Sequence, residues 1–85
     1  MATPKAADQR LTSGRRYRFT PAIETSCTPG GNEWTKKRFA SGHYLRFDPR
    51  LKTLIFQGTP VGEKGEYYVH VPWDTDVKFV PEIGT

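Results

Sequence analysis

Apolar side chains in this chain recur at every second position, in short runs, and nowhere at helical spacing. That feature restricts the fold more than any other. Side chains alternate across a strand, whereas a helix returns to one face every three or four residues. After Gly14, the run RRYRFTPAI puts Tyr17, Phe19 and Ile23 on one parity and Arg16, Arg18 and Thr20 on the other. In HYLRF, Leu45 and Phe47 share one face, and Tyr44 and Arg46 share the other. TLIF continues the apolar face with Leu54 and Phe56, while Ile55 makes this strand apolar on both sides. EYYVHV sets Tyr67, Val69 and Val71 against Tyr68 and His70, and VKFV turns Val77 and Phe79 inward. The expectation is an all-β chain of five short strands with Phe19, Phe47, Phe56, Val69 and Phe79 in its core.

The breaks between these runs set the order of elements. Pro21 cannot donate a ladder hydrogen bond, so it is expected to end the first strand or mark an edge. Residues 24–42 read as a long turn-rich connection, with TPGGN as its sharpest break and EWTKKRF as an irregular strand. Asp48-Pro49-Arg50-Leu51 suits a tight turn, with Asp first and Pro second. It joins the most secure hairpin in the chain. PWDTD bends the chain before the last strand.

A long first loop, a tight central hairpin and a short bend before the final strand resemble the SH3-like small barrel. The resemblance covers roughly residues 15–83 and rests on element order, with VPWDTDVKFV as bend and last strand. It implies a five-stranded barrel; an OB-type barrel, also five-stranded, is the alternative. The peptide-binding SH3 family also carries an ALYDY-like segment and paired tryptophans, where this chain reads FTPAIE and TLIF. The proline-peptide groove is therefore not carried over. Pro72 and Trp73 do lie in the bend where that family places ligand contacts. Such barrels bind peptides, DNA, RNA and other proteins, so function has to be argued from side chains.

At 85 residues the chain is one domain. Residues 1–14 are polar and aperiodic and read as a flexible arm, with residues 15–85 as the β domain. The stretch MATPKAADQRLTSG lacks the apolar core of a signal peptide, and no apolar run approaches the ~20 residues of a membrane-spanning helix. A cytoplasmic setting is the expectation. Cys27 is the sole cysteine, so no intramolecular disulfide forms; it is expected in a flexible loop as a spare thiol.

Catalytic and metal chemistry find little support. His43 and His70 fall on separate strands, far in sequence from Cys27, so no nucleophilic pair is expected. These three potential zinc ligands lie far apart, and the carboxylates Asp74 and Asp76 lack the rest of a calcium loop. GGNEWTKK lacks the glycine before lysine that a phosphate-binding loop requires. No enzyme activity, cofactor or metal is expected.

The remaining signal is charge interleaved with aromatic rings. The net charge is +4, but residues 1–52 carry eleven Lys and Arg against four Asp and Glu. Residues 53–85 carry two against five. A basic surface neutralises phosphates, and exposed rings stack on unpaired bases. Arg16, Arg18, Lys36, Lys37, Arg38, Tyr44 and Arg46 are the expected contacts for nucleic acid, DNA or RNA, or for an acidic protein surface. The alternative class is a protein-interaction module or small inhibitor, such as phages and mobile elements encode. It would dock through Trp34, Tyr68 and Trp73, residue types enriched where proteins anchor on one another.

Overall fold

The computed structural model describes residues 3–82. Five strands follow a short 3-10 turn at Ala6–Asp8: β1 Arg16–Thr28, β2 Thr35–Asp48, β3 Thr53–Gly58, β4 Tyr67–Pro72 and β5 Lys78–Pro81. They make one antiparallel sheet in the order β2-β3-β4-β1-β5. β1 also pairs with β2, so the pairings run from β1 through β2, β3 and β4 back to β1. Two strands long enough to serve more than one neighbour make this possible. Along one edge, β1 gives residues 17–20 to β5 and residues 26–28 to β4.

Pro21 sits where β1 changes partner, not where it ends. The ladder with β2 breaks between Arg18 and Ile23, and no pairing is lost by placing a residue without an N–H there. The strand then continues to Thr28, and β2 begins at Thr35. The long connection expected over residues 24–42 therefore shrinks to residues 29–34. EWTKKRF does enter a strand, as its irregular reading implies. The tight turn forms as expected: Asp48 Oδ1 accepts from the N–H of Arg50 at 2.9 Å and of Leu51 at 3.3 Å.

The interior is aromatic. Phe56 is fully buried, with ring centroids of Phe19 and Phe79 each 5.0 Å away. Tyr17, Ile23, Cys27, Phe39, Leu54, Val69, Val71 and Val77 complete the core. Phe19, Phe56, Val69 and Phe79 are thus where the alternation put them. Phe47 is not, being 42% exposed. A bulge also interrupts β2: the β2–β3 register shifts between Tyr44 and Arg46, leaving Leu45 without a partner. One extra residue reverses the parity across it. Tyr44, expected on the outer face, turns inward and packs on Phe56 at 5.4 Å. Phe47 stays opposite Leu54 but lies at the mouth of a cavity of about 190 Å³, with Ala7, Gln9, Leu11 and Tyr44.

A flexible arm is expected over residues 1–14; residues 1 and 2 lie outside the described residues, and residues 4–9 are docked. Ala6 is fully buried, and its N–H donates to the Thr75 carbonyl at 2.8 Å. The Gln9 side chain acts as a strand partner for β5. Its Oε1 accepts from Phe79 N at 2.8 Å, and its Nε2 donates to Val77 O at 2.6 Å. Val77 N donates to Pro4 O at 3.0 Å. An open strand edge is an aggregation hazard, and here the preceding segment covers it. Polar composition conceals this, because the docking uses backbone groups, one glutamine and the isolated apolar residues Ala6 and Leu11 instead of an apolar stripe.

Candidate binding site: an aromatic groove on the outer face

The loop over residues 29–34 builds the site by folding back on its own strand. Thr28 Oγ1 accepts from the N–H of Gly30 and of Gly31, each at 3.3 Å, and donates to Gly31 O at 3.1 Å. Gly30 has φ of +123°, a conformation that disfavours any residue with a Cβ. So pinned, the loop lies against Tyr68 and delivers Trp34 onto the sheet. The Trp34 and His70 rings meet edge to face, 4.3 Å between centroids. Thr28, Gly30, Gly31, Trp34, Tyr68 and His70, with Ile55 and Arg46, line an open groove of about 220 Å³. Ile55 forms its apolar floor, buried beneath the loop although it points away from the core.

Register explains why these side chains converge. Lys36 faces Ser26, Ser26 faces His70, His70 faces Ile55, and Ile55 faces Arg46. Cross-strand partners project from the same face, so the five form one row with a cation at each end. A neighbouring row runs Thr28, Tyr68, Gln57, His43 and Arg16. The His70 backbone is fixed from β1, where the Thr25 hydroxyl donates to its carbonyl at 2.5 Å. Burial holds the His70 imidazole below its ordinary pKa; Arg46 acts the same way, and Asp48 opposes them.

The two sets of residues expected from sequence do not stay apart. Arg46 of the basic set lines the groove with Trp34 and Tyr68 of the aromatic set, and Lys36 stands beyond the lining at the other end of the row. The others disperse. Lys37 lies on the opposite parity, where its Nζ donates to both Glu63 carboxylate oxygens at 2.8 and 2.9 Å. That hydrogen bond is the main reason its ammonium holds its proton more tightly than usual. Arg16 donates through Nη2 to Ser41 Oγ at 2.9 Å, and its Nε lies 3.3 Å from Glu82 Oε2, outside hydrogen-bonding geometry. Arg18 borders a recess with Val80, Pro81 and Glu82. Arg38 faces Glu24 across the β1–β2 ladder. Tyr44 is turned into the core. Among the described residues, Arg18, Lys36 and Arg38 make no ion pair.

Trp73 stands apart from the groove. Its N–H donates to Lys52 O at 2.9 Å, and Lys52 Nζ lies 5.4 Å from the ring centroid, within cation–π range. Cys27 is not a loop thiol: it is fully buried in β1 opposite Val69, and burial raises its pKa. His70 pairs with the preceding residue, Ser26, and projects from the other face, so the geometry separates this thiol from that imidazole. His70 and Ile55 are the groove residues that the sequence reading left without a role. Their parity was legible, but the loop that covers them was not.

Compared with known protein families, curated proteins and solved structures, the chain has no significant match.

Proposed function

We propose that this protein is a binding module for single-stranded nucleic acid, built on an SH3-like five-stranded barrel. The groove beneath Trp34 is its contact site. The barrel reading draws on the β1–β2 pairing that returns the sheet to its first strand; the five-stranded OB-type closure is the alternative. The functional reading is carried by one observation: the aromatic rings of Trp34 and Tyr68 border a row that has a cation at each end. Tyr68 and Trp34 offer surfaces on which an unstacked base can pack, and Lys36 and Arg46 flank them where a backbone would pass. Stacking of bases on aromatic side chains contributes about 1–3 kcal/mol per base, and the cations add a salt-dependent term. A groove this open accepts a flexible strand. It offers no helix or ribbon to enter a duplex groove, so single strands should bind more tightly than duplexes.

Fluorescence anisotropy with labelled single- and double-stranded DNA and RNA tests this. Wild-type protein should bind single strands, with log affinity falling linearly against log salt. Lys36→Ala and Arg46→Ala should each reduce the slope by about 0.7, the value for one single-strand phosphate contact. Absence of binding to every oligomer at low salt would sink the proposal.

A second reading, docking onto an acidic protein surface, has its own support. Arg16, Lys37 and Arg46 already face carboxylates, which weakens the basic footprint, while Trp34, Tyr68 and Trp73 stay between 40% and 51% exposed. Docking of that kind should respond weakly to salt and depend on Trp34 and Trp73 together.

A further inference from the structure

We propose that His70 is a proton-linked ligand contact, so that the groove takes up one proton from solvent as it takes up a phosphodiester. This rests on the groove being the nucleic-acid site argued above. The position of the imidazole is the basis. It occupies the middle of the row between Lys36 and Arg46, borders the groove and touches the Trp34 ring. A backbone reaching from one terminal cation to the other passes over it. The charged and titratable groups around it come from several elements. They are Lys36 and Arg46 from the two ends of β2, Asp48 beyond Arg46, Tyr68 on its own strand, and Glu33 beside Trp34 in the loop.

In the free protein His70 is half-buried, and that burial, aided by Arg46 and opposed by Asp48, favours the neutral ring. A phosphate in the groove reverses the balance. It supplies an anion next to the ring and offsets the charge of Arg46, so the imidazolium becomes the favoured form. Ligand binding and protonation then reinforce each other by the same factor. Affinity should rise as pH falls. Between the free and bound pKa values of His70 the gain approaches about tenfold per pH unit. His43 lies in the neighbouring row, paired with Gln57, and does not border the groove.

The test uses an oligothymidylate, whose bases do not titrate near neutrality. Its affinity is measured by anisotropy from pH 8 to pH 5.5 at constant ionic strength, for wild type, His70→Gln and His43→Gln. The His70 ring resonance is titrated by NMR in wild-type protein, free and bound, so that the answer does not hang on a variant. Wild type and His43→Gln should bind several-fold tighter at the acid end. His70→Gln should show a flat profile, and the bound ring should titrate at higher pH than the free ring. Binding with an unchanged ring titration, or a wild-type pH profile in His70→Gln, overturns the proton linkage and leaves the site standing. No binding at any pH overturns both.

Discussion

Phe47→Ala and Phe56→Ala, measured side by side, test where the closed core ends along the inward face of β2 and β3. By simple alternation the two phenylalanines are equivalent core residues. In the structure Phe56 is fully buried among Phe19, Tyr44 and Phe79, whereas Phe47 is 42% exposed at a cavity mouth. Truncating Phe56 removes a whole ring from a close-packed cluster and leaves a void, so the cost should be about 3–5 kcal/mol. Full burial of such a side chain contributes roughly 1.5–3 kcal/mol, and Phe47 gains little over half of it. It already borders open space, so the added cavity term is small. Phe47→Ala should cost only ~1–2 kcal/mol. Urea unfolding followed by near-ultraviolet circular dichroism gives both values, with unchanged m-values as a check on two-state behaviour. Phe47→Ala should remain folded in buffer. Equal losses for the two variants would refute the rim position of Phe47 and place it in the closed core.

Three further perturbations probe other parts of the molecule. Cys27→Ser places a hydroxyl in the core and should lower stability by about 1–3 kcal/mol, whereas a loop thiol would tolerate it without effect; thermal melts separate the two. Gln9→Ala removes both side-chain bonds to β5, so the Phe79 amide should lose hydrogen-exchange protection while the Phe56 amide keeps it; unchanged protection at Phe79 would return residues 3–14 to the status of a loose arm. The Asp48 carboxyl is held below its ordinary range, chiefly by the Leu51 N–H and then by Arg50 N–H and nearby arginines. A depressed carboxylate contributes stability that is present above its unfolded pKa and lost as pH falls through its folded one. Wild type should therefore be more stable than Asp48→Asn at neutral pH, with the two converging in acid; a constant difference at all pH values would contradict this.

Much of the fold was legible because its strands obey period two. Tyr17, Phe19, Phe56, Val69, Val71 and Phe79 face inward as the alternation requires, and the Asp48 turn forms from its own local chemistry. The misreadings share a cause. A bulge costs one residue and leaves no compositional mark, so alternation puts Tyr44 on the wrong face; Phe47 keeps its inward parity and is exposed because it borders a cavity. Pro21 reads as a strand end only if a strand keeps one partner throughout, and β1 does not. The docking of the N-terminal segment depends on Gln9 meeting an edge about seventy positions away, which no local pattern encodes. The dispersal of the basic residues has the same origin. The carboxylates that face Lys37 and Arg16 come from Glu63 and Glu82, distant in sequence. Cross-strand register, which sequence alone did not supply, selected Lys36 and Arg46 from the basic residues and brought Trp34 and Tyr68 to them.

The central claim, that a single strand lies in the groove beneath Trp34, is tested most directly by mapping amide and indole NMR shifts during titration with an oligothymidylate. The account predicts perturbations at the Trp34 indole N–H and at Gly30, Gly31, Lys36, Arg46, Ile55, Tyr68 and His70, with β5 and the Trp73 turn unaffected. Perturbations confined to the Arg18 and Val80 recess or to Trp73, with the Trp34 indole unmoved, would contradict it.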